Sequence, residues 1–263
     1  MMFDKVGRQL RYFILICILM LSSWAKAQTA SGNSSQDIVS ASFESVMDYV
    51  AVNQVEAPAA ARIYAITAIA LHDSLSRPDA GLRYVIDDKN KRQSVNSQMF
   101  TRDVMAALLS NGFLTITDRD ASASSFANNI TARLPLPEPM TQIMPSTGEP
   151  YVHPEWRQAK PLELVSADMF RPSGPPAAST PAYDDALNEV KQFGEDVSYY
   201  RTADESLTAV FWGDAAGTYT GPGHWNAIAL DITKAMPIER RLDIILALNV
   251  ALYDVSIAAW DSK

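Results

Sequence analysis

The sequence predicts an all-α protein, and three observations carry that reading. No run of Val, Ile and Thr alternates well enough for a sheet. Long segments repeat apolar residues every three to four positions, the spacing of one helix face. Those segments open on Asp, Thr or a first-turn Pro, which satisfy or tolerate the unpaired N–H groups of a helix start. With 48% hydrophobic and 20% charged residues over 263 positions, the chain can build a sizeable core and is not disordered throughout.

Residues 1–27 read as a secretory signal peptide. Lys5, Arg8 and Arg11 precede an uncharged run from Tyr12 to Ala25, and Ala25-Lys26-Ala27 supplies the small residues of a cleavage site after Ala27. The run is shorter than the roughly 20 residues that cross a bilayer, so no stable membrane anchor is expected. Ile16 is too bulky for the position before a lipidated Cys17. The expected location is therefore the periplasm or the medium. Cleavage would remove four basic residues and one acidic residue, moving the net charge from −8 to −11. Such an acidic chain is a poor partner for nucleic acid. It would also be cysteine-free, which excludes disulfides and Cys-based metal clusters. Residues 28–36 are Ser/Gly-rich and polar, a flexible lead-in to a helical domain at 37–263.

Asp37 can cap a first helix to about Asn53, with Ile38, Phe43, Val46, Met47 and Val50 at helical spacing. Pro58 opens a second, to about Ser76; apolar on more than one face, it should be central to a bundle. Ser94–Ser110 and Asp118–Arg133 read as a third and a fourth. Between Arg133 and Ala177 lie ten of the fifteen prolines, a density that no long helix survives. That passage also carries Trp156, Met169 and Phe170, so it should pack down. Helices resume at Thr180 or Pro181, where Tyr183, Leu187, Val190 and Gly194 share a face. Thr202 caps another, with Leu207, Val210 and Phe211 expected inward. A Gly-rich loop, Gly213–Gly223, should precede a helix from His224 to about Met236. The last helix runs from about Ile238 to the end along a seam of Leu242, Ile245, Asn249, Leu252, Tyr253, Ser256 and Trp260. Ile69-Ala70-Leu71-His72-Asp73 and Val250-Ala251-Leu252-Tyr253-Asp254 form a faint internal echo.

The chemistry is sparse. His72-Asp73 lacks a second ligand one turn away, so a histidine bonded to its neighbour is expected rather than a metal site. His153 shows no partner. Asp73, Asp254 and Asp261 read as caps or ion-pair partners in a bundle rather than acid/base pairs. No nucleophile elbow, zinc-protease motif, P-loop or dinucleotide fingerprint occurs.

The C-terminal third is more specific. Its blocks are Arg201-Thr202-Ala203-Asp204-Glu205, Phe211-Trp212-Gly213-Asp214, Pro222-Gly223-His224-Trp225-Asn226, and the run from Asn249 to Trp260-Asp261-Ser262-Lys263. Together with Ala61-Arg62-Ile63-Tyr64 and Phe170-Arg171-Pro172, they resemble the vanadium-dependent haloperoxidases, within the superfamily shared with type 2 phosphatidic acid phosphatases. The resemblance implies two four-helix bundles and a site for a tetrahedral oxyanion. Lysine, arginine and hydrogen-bond donors would neutralise vanadate there, and a histidine would be its axial ligand. By that resemblance Lys263 is the first vanadate- or phosphate-binding residue. Trp260 stands near the site, and Asp214 is a carboxylate that orients one of its arginines.

In that pattern an Arg-Pro seven residues on, a P-S-G-H and a distal Arg and His should follow the lysine. Arg171-Pro172 instead precedes it, and Pro172-Ser173-Gly174 continues into Pro175. The expectation is thus the N-terminal portion of a haloperoxidase, truncated at Lys263, binding no vanadate alone and inactive alone. Leu252, Ile257 and Trp260 should be left partly exposed. A downstream fragment or a second copy of the chain is the expected partner. Two alternatives stay open: a non-catalytic exported helical binding or pairing module, and a fragment of a related acid phosphatase.

Overall fold

The computed structural model of the chain describes residues 38–75, 97–110, 112–113, 122–140, 152–215 and 217–263. The expected signal peptide, the lead-in and Asp37 lie outside the described residues, as do the expected starts of the third and fourth helices. The described residues are helical and contain no strand. The helices are α1 (Ile38–Val52), α2 (Ala57–Leu75), α3 (Ser97–Ser110), α4 (Ser122–Arg133), α5 (Pro181–Phe193), α6 (Ala203–Phe211), α7 (Thr220–Thr233) and α8 (Ile238–Ser262), with a 3-10 turn at Pro154–Gln158.

Helix α2 is the axis of the body. Sixteen of its 19 residues are buried, because Ala60, Ala65, Ala68 and Ala70 let neighbours approach on faces that Ile63, Ile66, Ile69 and Leu71 do not fill. Helices α1, α3, α4, α7 and α8 all pack on it. Each fully buried Ile or Leu contributes about 1.5–3 kcal/mol. Helix α1 turns Val39, Phe43, Val46 and Val50 inward, and the Phe43 ring stacks on Tyr64 at 6.3 Å.

A single charged side chain ties the helix ends to α2. Arg62 Nε donates to Leu134 O at 2.5 Å, and its Nη1 donates to Phe113 O at 3.1 Å. Those carbonyls lie just past the C-termini of α4 and α3, where a cation meets the negative end of the helix dipole. Burial nonetheless disfavours the charge and lowers the Arg62 pKa to about 10.

Helix α8 lies along α2 and against the 3-10 turn, with Leu242, Ile245, Asn249, Tyr253 and Ile257 buried. By length and composition it is also apolar enough to cross a bilayer; here its inner face is core. Of the three residues expected to be partly exposed, Leu252 and Trp260 are, but Ile257 is fully buried against the body.

Two further expectations need correction. Leu207, Val210 and Phe211 do not face inward: they are 68%, 77% and 56% exposed, since among the described residues no helix covers the face they share, although the Phe211 ring touches His224 of α7. The helix expected from His224 begins at Thr220, so Gly221-Pro222-Gly223 form its first turn. A first-turn proline is tolerated there. Gly223 is required by contact, because a Cβ would lie 2.5 Å from Tyr64 Oη.

Candidate functional site

Three polar sites converge on α7, α8 and the Pro-rich passage. The first anchors the passage. Asp254 accepts backbone N–H groups from Leu162, Glu163 and Leu164 at 2.7, 2.8 and 2.8 Å. Three successive amides aimed at one buried carboxylate form a backbone nest. This ties down residues 162–164 of the proline-dense passage, and Trp156 is buried, but Met169 and Phe170, also expected to pack down, are 53% and 70% exposed. Asp254 thus anchors backbone amides of the passage, rather than capping a helix or pairing with a cation as the sequence suggested.

The second site is the end of α8, where two of the sequence-predicted residues meet. Lys263 Nζ lies 4.2 Å from the centroid of the Trp260 ring. The Trp260 indole donates to Val152 O at 3.0 Å, which fixes the ring under the ammonium. Next to them, Arg171 binds Asp261 through two parallel bonds of 2.7 and 2.6 Å. That fork lowers the Asp261 pKa, with the charge of Arg157 adding to it. Arg171 is thus committed to Asp261, and Lys263 stands on the Trp260 ring with no ion pair of its own among the described residues. This donor set does not fit vanadate by itself: an oxyanion of charge −2 or −3 needs several converging donors.

The third site is a pair. Asp214 follows α6 and His224 lies in the second turn of α7, and His224 Nδ1 stands 3.0 Å from Asp214 Oδ2. Four aromatic side chains crowd the pair. The Trp212 ring stacks on the imidazole at 4.7 Å, Phe211 meets it edge-on at 4.4 Å, Tyr219 stands at 6.1 Å, and Trp225 lies 5.2 Å from Trp212. Burial and then the Asp214 charge raise the Tyr219 pKa, which keeps that phenol neutral. Asp214 is therefore paired with His224, and no described contact joins it to Trp260 or Lys263.

No family model matches this chain, and no curated protein or solved structure matches it.

The histidines outside these sites and the asparagines of α7 and α8 have partners within the fold. His72 is fully buried between Asp73 (3.4 Å) and Asp243 (3.6 Å), the bonded-neighbour arrangement expected of it. His153 does have a partner, contrary to expectation: Glu155 Oε1 at 3.0 Å, brought near because the chain turns into the 3-10 helix. Asn226 and Asn249 exchange amide hydrogen bonds of 2.8 and 2.7 Å and also bond the carbonyls of Pro222 and Ile245, locking α7 to α8. Among the described residues no group of three His, Cys, Asp or Glu could hold a metal ion. Sequence reasoning named Arg171, Asp261, Asp214 and His224 separately. It missed both pairings, since partners 90 and 10 residues apart leave no periodic signal.

Proposed function

We propose that this chain supplies the scaffold and the first cation of a haloperoxidase-like oxyanion site. The observation that supports the reading is the fixed Trp260–Lys263 pair at the end of α8: a rigid ring, itself hydrogen-bonded, holds one ammonium at a defined place. In this reading Lys263 neutralises part of a bound vanadate, and the remaining donors come from polypeptide beyond Lys263. Vanadate, when bound in a complete site, supplies peroxide activation for halide oxidation. This chain's part is to place Lys263 and to keep Asp261 neutralised by Arg171, so that no free carboxylate repels the oxyanion.

The test is a vanadate titration of the 263-residue chain, alone and joined to the segment encoded downstream. The chain alone should bind no vanadate and brominate nothing. The joined protein should do both, and Lys263→Ala should remove most of that activity. A downstream frame without an Arg-Pro and a P-S-G-H, or vanadate-dependent turnover by the chain alone, would overturn the reading. Phosphatase activity of the joined protein, without bromination, would move the assignment to the related acid phosphatases.

A second reading, a helical pairing module, is favoured by one observation. Helices α5 and α6 bury none of their residues, yet carry Leu187, Val190, Leu207 and Val210 in the open. Capture of a defined partner by a chain that never binds vanadate, even when joined to its downstream segment, would favour it.

A further inference from the structure

We propose that the Asp214–His224 pair and its aromatic wall form a second binding site, which takes small phenols by stacking and by one hydrogen bond to the imidazole. The site contains neither Lys263 nor Trp260; of the residues the family resemblance assigned to the oxyanion site it holds Asp214 alone, here paired with His224.

The argument begins with the tautomer. A carboxylate can only accept, so the 3.0 Å contact puts a proton on His224 Nδ1, and in the neutral imidazole Nε2 then carries the lone pair. No described group bonds that Nε2, and it is not sealed in the protein. His72 is the contrast: its Nε2 is sealed between helices without a hydrogen bond, where no ligand can reach it. The His224 side chain is only 9% exposed and Asp214 only 12%, so the pair is shielded on most sides while one acceptor edge stays open. Trp212 covers one face of the ring and Phe211 its edge, which prevents rotation and holds the lone pair in a fixed direction.

The wall then defines the ligand. Trp212 and Trp225 are 43% and 46% exposed and adjacent to each other; Trp212 lies on the imidazole, and Tyr219 meets the imidazole edge-on. Exposed indole faces favour a flat aromatic ring. A neutral acceptor at their margin favours a ring bearing an O–H, and the Asp214 charge behind the imidazole disfavours an anion. A neutral phenol satisfies all three conditions: its ring stacks on the tryptophans and its hydroxyl donates to Nε2. No bond is made or broken in this binding step.

The test needs no variant to begin with. Tryptophan fluorescence of the full chain is titrated with phenol and, in parallel, with anisole, which keeps the ring but lacks the donor. Phenol should give saturable quenching, and anisole should bind roughly five- to tenfold more weakly, the effect of one hydrogen bond. His224→Gln should bring phenol down to the anisole level, and Trp212→Leu should abolish binding of both. Asp214→Asn, which frees the tautomer without changing the shape, should weaken phenol and leave anisole unchanged. Equal affinity for phenol and anisole, quenching that never saturates, or phenol binding unchanged in a folded His224→Gln protein would overturn the proposal.

Discussion

Helix α2, apolar on more than one face, and helix α5, amphipathic in sequence, are both well formed, yet they are stabilised by opposite means. Helix α2 buries 16 of its 19 residues, and α5 buries none of its 13. The body around α2 is held by apolar packing, with polar groups serving as ties between elements. The α5–α6 arm is held by polar bonds to its own backbone. Thr180 accepts the Tyr183 N–H to start α5. Thr202 and Glu205 form a reciprocal capping box that starts α6. Arg201 joins the two helices, donating to the carbonyls of Phe193, Glu195 and Asp196 and to Ser206 Oγ. Caps of this kind contribute about 1 kcal/mol each and define where a helix starts. They do not replace a core. The comparison teaches that helix formation and helix burial are separate properties, and that the arm has the first without the second.

The largest effects should fall in the body. Ile69→Ala, at a fully buried position of α2, should cost about 2–5 kcal/mol in urea unfolding. Asp254→Ala should cost about 3 kcal/mol or more, since three N–H groups lose a charged acceptor, and proteolysis should then cut first within 160–177. Gly223→Ala should cost about 1–3 kcal/mol, because the added Cβ forces Tyr64 Oη or Tyr219 away from α7. A loss below about 0.5 kcal/mol in any of these would show that the body is not the tight unit described.

An alkaline titration sharpens the same contrast. Burial pushes the Tyr253 phenol up to about 12, whereas an unfolded tyrosine ionises near 10. Between those values the unfolded chain has lost a proton that the folded chain keeps, so Tyr253 makes stability fall as pH rises from about 10 to 12. Arg62 acts in the opposite sense: its pKa, lowered to about 10, lets the folded state shed a proton first. The difference between wild type and Tyr253→Phe isolates the tyrosine. That gap should widen by up to about 2–3 kcal/mol across the window. A constant gap would contradict the burial of this phenol. The smallest effect belongs to the arm: Val190→Ser, at a 67% exposed position, should stay within about 0.5 kcal/mol.

Much of the helical layout was legible in the sequence, because periodicity and caps are local. The apolar faces of α2 marked it as central, and Thr202 marked the start of α6 to the residue. The inward placement of Leu207, Val210 and Phe211 failed because periodicity shows which residues share a face, not whether anything covers it. The start of α7 was read four residues late, since Gly-Pro-Gly signals a loop until the close approach of Tyr64 is known. At the candidate sites, Trp260 and Lys263 were legible only through the family resemblance, and their ring–ammonium contact was not anticipated. The Asp214–His224, Arg171–Asp261 and Asp254–amide pairings were not legible, because each depends on how loops fold back on helices.

The most direct test of the account is amide hydrogen exchange on the monomeric chain, resolved by peptide. Peptides from α2 and α8 should be protected to the level of global unfolding. Peptides 181–193 and 203–211 should exchange through local opening, orders of magnitude faster. Arm amides that exchange as slowly as those of α2 in the chain alone would contradict the division into a packed body and an uncovered arm.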